Sequence, residues 1–161
     1  MDQQAPLYDR DFYEWTQREA AKLRAAHAAR VNLDLDFENL AEEVESMGKS
    51  DLRAFENTLA RVLEHLLKLE HSPALEPRPG WRSTVQVHRT AARRILDDSP
   101  SLRRRARVDL IVESAIGYLS ESLNRHGEPV PELSVGDCRI GLDELLDPHW
   151  FPANRHGLTD R

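Results

Sequence analysis

Between residues 52 and 67 the apolar side chains Leu52, Phe55, Leu59, Val62, Leu63, Leu66 and Leu67 return at steps of three and four. That spacing gathers them on one stripe of an α-helix and scatters them over both faces of a strand, so only a helix buries them together. A helix this greasy on one side needs other amphipathic helices to cover it. The chain supplies them. Phe12, Trp15, Leu23 and Ala26 predict a first helix from about Asp9 to Arg30. Asp36 is placed as an N-cap and Gly48 fits the left-handed position that ends a helix, which predicts a second helix over 37–47. The third starts near Ser50 and stops at "HSP", where the proline-rich "SPALEPRPGW" makes a loop. A fourth runs from about Trp81 to Leu96. Ser99 as N-cap and Pro100 at the first helical position open a fifth that reaches about Arg125, with Gly127 past its end. An irregular tail and a short helix over residues 142–146 complete the chain, and no stretch shows convincing strand alternation. The expected fold is all-α, a single compact bundle of about five amphipathic helices, with residues 1–161 as one domain.

Length and cysteine usage narrow the setting. At 161 residues the chain can bury a core without covalent staples, and its one cysteine, Cys138, has no internal partner. The start "MDQQAPLYDRD" carries neither the basic nor the apolar part of a secretory signal. Apolar runs fall far short of the ~20 residues that cross a bilayer. These features predict a cytoplasmic protein without membrane association.

Charge is strongly segregated. Residues 32–76 hold eleven acids against four bases, a balance of −7, and residues 78–107 hold nine arginines against two aspartates, a balance of +7. Arginine-rich helices can bind phosphates. Here the net charge of −6, the scarcity of aromatics and the acidic block one loop away favour internal charge complementarity, so nucleic acid is not the expected partner. On the second helix, Glu38, Glu42 and Glu45 share one flank of a stripe formed by Phe37, Leu40, Ala41, Val44 and Met47. They are expected to be a solvated flank facing the arginine-rich helices. The competing reading is a carboxylate cluster for a cation, but bundle di-metal sites draw on Glu-x-x-His pairs and this helix has no histidine.

Several polar residues fall where apolar ones belong. Glu19 sits inside the stripe of the first helix, His88 amid the apolar face of the fourth beside Arg89, and Asp109 and Glu113 at the stripe edge of the fifth. His65 lies at the margin of the third. Taking a charge out of water without a partner costs several kcal/mol. These groups therefore meet one another, reach a cleft, or show that the helices are turned differently. Three outcomes follow: a satisfied network in which Glu19 or Glu113 accepts from His88 or Arg89, a polar ligand pocket, or a catalytic or metal site. No cofactor and no metal is expected, since there is no glycine-rich phosphate loop, no C-x-x-C, no H-E-x-x-H and no G-x-S-x-G elbow.

The segments "DFYEWTQREAAKLR", "FENLAEEVESMGKSD", "HLLKL", "GWRSTVQVHRTAARRIL", "DDSPSLR" and "LDELLD", in this order, resemble the bacterial family of domain of unknown function 29 over about residues 8–152. The run carried by Asn39–Glu43 and Glu45–Gly48 is its most specific part. The resemblance implies an all-helical bacterial domain and brings no activity with it. Two positions depart from the pattern: His88 stands where the family usually has glutamine, and Arg139 where a proline follows the late cysteine. A side-chain amide is a poor ligand for transition metals, so the first departure speaks against a metal role for His88. With no catalytic motif, strong charge blocks and a trailing segment bearing Trp150 and Phe151, the expected function is a non-enzymatic interaction domain for a protein partner or a second copy. The alternative is a ligand-binding protein or metal-dependent enzyme centred on Glu19, His65, His88 and Glu113.

Overall fold

In a computed structural model, which describes residues 5–159, every regular element is helical. The order is α1 (Leu7–Arg10), α2 (Phe12–Ala28), α3 (Phe37–His71), α4 (Arg78–Asp98), α5 (Leu102–Arg105), α6 (Val108–Arg125), a 3₁₀ turn (Val135–Asp137) and α7 (Leu142–Leu146). The chain divides into two compact units, one of residues up to Phe55 with Arg94–Ala106, the other of Glu56–Arg93 with the residues from Arg107 onward. The all-α expectation holds, while several boundaries differ for identifiable reasons.

In the first unit Asp11 breaks the first expected helix and then organises its neighbours. Its Oδ1 accepts from the Glu14 amide at 2.9 Å, capping α2, and from Ser101 Oγ at 2.8 Å, while Oδ2 accepts from the Ser101 amide at 2.7 Å. Ser99 does not cap the next helix: it is fully buried and its hydroxyl accepts from the Tyr13 amide at 3.0 Å. On α2 the buried residues are Tyr13, Thr16 and Ala20, while Phe12, Trp15, Leu23 and Ala26 are half-exposed. The helix is thus turned by roughly a quarter of a circle from the expected wheel. Phe12, Trp15 and Tyr8 spend their aromatic surface on one another, with ring centroids 4.9–5.7 Å apart.

Gly48 does not end a helix. α3 runs unbroken through it, because there the chain needs closeness more than a turn: a Cβ at Gly48 would lie 2.2 Å from Thr16 Oγ1. The early part of α3 is turned toward its small residues, burying Phe37, Ala41 and Gly48 and leaving Leu40 and Met47 40% and 50% exposed. The acidic flank follows this rotation. Glu45 binds Arg24 at 2.9 Å and Lys49 at 3.0 Å, rather than the arginines of α4 and α5, and Glu38 and Glu42 are exposed.

In the second unit the stripe from Leu59 to Leu69 forms the centre of the core with Val85, Ala92, Ile111, Ala115, Leu119 and Leu145. α4 begins at Arg78, earlier than expected, since Pro79 and Gly80 are tolerated in a first turn whose N–H groups have no intrahelical acceptor. The expected fifth helix is two helices. Ala106 and Arg107 take extended backbone angles, and Glu56, 7% exposed, receives the Arg107 amide at 2.9 Å, its Nε at 2.9 Å and its Nη2 at 2.6 Å. Burial raises the pKa of Glu56, but the Arg107 bonds outweigh it and hold the carboxyl below its usual range. The break also explains Asp109 and Glu113, which are exposed: a wheel drawn through Leu102 and Leu123 as one helix has the wrong phase for α6. Among the described residues no helix is long and apolar enough to cross a membrane.

Candidate functional site

Of the predicted polar residues, the second unit brings together His65 and His88. They lie close enough that a charge on His88 disfavours one on His65. With them is an ion pair the sequence reading passed over, Glu64 and Lys68, 3% and 5% exposed and 2.7 Å apart. Arg61 Nη1 closes the second Glu64 oxygen at 3.0 Å, and its guanidinium lies 3.6 Å over the Tyr118 ring. The Lys68 ammonium is 6.0 Å from the Trp81 ring centroid. The signal was legible: an i, i+4 Glu–Lys pair inside an apolar stripe satisfies itself on its own helix.

The electrostatics of this cluster are one-sided. Burial lowers the pKa of His65, aided by Lys68 and His88, against the Arg61 carbonyl that receives its Nδ1 at 2.9 Å and against Glu64. Burial also lowers His88, with Arg61 acting the same way and Glu64 opposing. Both imidazoles are therefore neutral near pH 7 and able to donate or accept a hydrogen bond. Both Glu64 oxygens are occupied by cations. Among the described residues no group of three or more histidines, cysteines or acids is arranged to hold a metal ion.

Arg89 has another task. It is 1% exposed and donates from Nε to the Leu145 carbonyl at 2.9 Å and from Nη2 to those of Glu144 and Trp150 at 2.8 and 2.9 Å. Its neighbours on the same stripe act alike: Gln86 donates to the Pro148 carbonyl at 2.6 Å, Arg93 to Leu146 at 2.8 Å, and Arg82 lies 3.7 Å over the Phe151 ring. Steps of four, three and four residues line these donors along one face of α4. They strap down the trailing segment by its backbone oxygens. Burial pulls the Arg89 pKa to about 10, with Asp147 opposing and Arg93 and Arg82 reinforcing, so the guanidinium stays charged at neutral pH. The expected Glu19 or Glu113 partnership with His88 or Arg89 is not what this residue uses. Glu19 pairs with Lys22 along α2 at 2.7 Å.

A cavity of about 280 Å³ lies in the same unit, walled by Leu67, Ile116 and Trp150 with His71, Cys138 and Arg155 at its polar side. Burial pushes the Cys138 thiol up and the His71 imidazole down, so neither is charged near pH 7. A protonated thiol is a weak nucleophile.

The least ordinary surface belongs to the first unit. Of ten strongly exposed large apolar residues in the described chain, five (Val31, Leu33, Leu35, Leu40 and Met47) fall within residues 31–47, which concentrates them as no other segment does. Asp34, Asp36, Glu38, Glu42 and Glu43 are interleaved with them and exposed.

The family profile described as Domain of unknown function DUF29 matches residues 7–151. A crystal structure of an alpha-helical protein of unknown function from Rhodospirillum rubrum is similar, with 28% identity, a TM-score of 0.75, and coverage of 89% of this chain and 91% of that one. No functionally curated protein matches.

Proposed function

For a chain that belongs to the Domain of unknown function DUF29 family, we propose a non-enzymatic, cytoplasmic interaction domain that recognises a protein partner through residues 31–47. One observation carries this reading: half of the strongly exposed large apolar side chains are crowded into that segment, between acids that keep it in solution when unbound. The polar groups elsewhere support it by what they already do. Glu64, Arg61 and Lys68 satisfy one another, and the α4 arginines serve the trailing segment. Tagged protein incubated with bacterial lysate tests the proposal against the double variant Leu33→Asp, Leu35→Asp. The expected result is a defined partner, or a second copy seen by sedimentation, that is retained by the parent and lost by an equally helical variant. Identical behaviour of the two proteins refutes it.

A further inference from the structure

We propose that residues 31–36 pair as a β-strand with an extended partner segment in which aliphatic residues alternate with lysine or arginine; the inference rests on residues 31–47 being the interaction surface. The segment reads V-N-L-D-L-D. Period-two alternation puts Val31, Leu33 and Leu35 on one side of an extended chain and Asn32, Asp34 and Asp36 on the other. The apolar side is bare, with exposures of 44%, 59% and 54%.

The backbone is bent at Leu33 and Asp34 and half satisfied. The amides of Leu33, Leu35 and Phe37 donate to the carbonyls of Val31, Leu33 and Leu35 at 2.9, 2.9 and 3.0 Å, a succession of three-residue turns. Of the described non-glycine residues only Arg30 has positive φ, so these are the relaxed, inverse form of the turn. All these bonds use the odd-numbered residues. The N–H and C=O groups of Asn32 and Asp34 have no partner among the described residues. In an extended chain the amide and carbonyl of one residue share an edge, so once the bends open on pairing these two residues present a ladder.

Both ends are anchored, which keeps the segment short. Arg30, at φ 50°, ends α2 with its amide on the His27 carbonyl at 3.0 Å and the Val31 amide on Ala26 at 3.2 Å. Asp36 caps α3 by accepting from the Asn39 amide at 3.1 Å, and Phe37 is buried. Charge then selects the partner. An antiparallel second copy that matches aliphatic with aliphatic sets Asp34 against Asp34, or against Asn32 and Asp36, and like charges directly opposite are unfavourable. A basic–aliphatic strand places a cation opposite each acid. Strand addition of this kind takes its affinity from main-chain bonds and its specificity from alternate side chains.

The test uses the full chain and two synthetic probes, an alternating valine–lysine peptide and an alternating valine–glutamate peptide, read by fluorescence anisotropy. Asp34→Pro removes the carboxylate and the outward amide with little backbone strain, because proline's fixed φ of about −65° suits the centre of an inverse γ-turn. Asp34→Ala removes the charge and keeps the amide. The valine–lysine peptide is expected to bind at least about tenfold tighter than its acidic counterpart. Asp34→Ala is expected to weaken it by about fivefold or less, and Asp34→Pro by at least about a further tenfold. A carbonyl-labelled peptide should acquire the β-sheet amide I band on binding. Equal affinity of the two peptides, equal affinity of the alanine and proline variants, or a bound peptide without the β band each overturns the proposal. If the basic peptide does not bind while Leu33→Asp, Leu35→Asp still releases a partner, strand pairing fails and the interaction surface stands. If that variant also changes nothing, both fall.

Discussion

Replacing Gly48 with alanine sets two effects of known sign against each other. In a helix interior alanine is favoured over glycine by about 1 kcal/mol. Here the added methyl would meet Thr16 Oγ1 at 2.2 Å, Gln17 Nε2 at 3.1 Å and the Tyr13 ring at 3.2 Å. Gln17 can swing away. Thr16 cannot do so cheaply, because it is fully buried and its hydroxyl donates to the Tyr13 carbonyl at 2.7 Å. Overpacking of this kind costs about 1–3 kcal/mol, and displacing that hydroxyl forfeits about 1 kcal/mol more. The net expectation is a loss of about 1–3 kcal/mol after the helical gain is subtracted. At about 2–4 °C per kcal/mol for a chain of this size, melting should fall by several degrees. Urea denaturation followed by circular dichroism, run also in a Thr16→Ala background, isolates the contact. There the clashing oxygen is gone, Gly48→Ala should be neutral or stabilising, and the coupling should be about 1–3 kcal/mol. A Gly48→Ala protein more stable than the parent, or an undiminished penalty beside Thr16→Ala, refutes the close-approach account of this glycine.

Other outcomes follow from the same physics. Arg89→Met leaves the Glu144, Leu145 and Trp150 carbonyls without their donor. It should cost about 3–5 kcal/mol and raise hydrogen exchange over residues 142–151, which urea titration and exchange mass spectrometry read directly. Because His65 and His88 have pKa values below 6.5 when folded, the unfolded chain binds more protons in that window and stability must fall as pH drops below about 6.5. The urea midpoint between pH 7.5 and 5 should show this, and His65→Gln with His88→Gln should flatten part of the slope, His71 keeping the rest. Glu56 and Glu64 are lowered instead, so their stabilisation is present above about pH 4.5 and is lost as pH falls through their folded values. Glu56→Gln should cost about 1.5–3 kcal/mol and loosen the first turn of α6, visible as faster amide exchange from residue 108 onward.

The parts of the fold written in one helical period were legible. Residues 52–69, with their unbroken run of apolar returns, gave the core helix and its orientation correctly. What misled was punctuation whose meaning depends on tertiary contact. A glycine within a helical pattern signals an end or a close approach, and Thr16, thirty-two residues away in sequence, decides for the second. Ser99-Pro100 carries every local mark of a helix start, yet the Ser99 hydroxyl is claimed by the Tyr13 amide. Once Arg107 breaks the expected fifth helix, a wheel drawn across the break rotates, and Asp109 and Glu113 fall on its inner side although they are exposed. Glu19 misled for another reason: α2 buries Tyr13, Thr16 and Ala20 rather than its greasier Phe12–Trp15 side. His65 and His88 were found because their stripes are intact. Glu64 and Lys68 were missed because a charge pair on one helix needs no second helix to justify it.

The segment V-N-L-D-L-D lies between two helices, where a short connection is the default. A linker has no need of alternation, however, and three exposed aliphatic residues on one side of it oppose solubility without adding to the core. Its entry is also uneconomical, since Arg30 takes a left-handed conformation that glycine would adopt with less strain. Departures from local consistency of this kind concentrate where a chain does something other than fold. The helical elements account for themselves through burial and capping, which do not account for residues 31–36. That makes the segment, rather than the buried arginines or the imidazole pair, the place where loss of function should separate from loss of stability. Leu33→Asp should leave the unfolding free energy from urea titration within about 0.5 kcal/mol of the parent while abolishing partner retention, and a variant that instead unfolds would show those side chains to be structural after all.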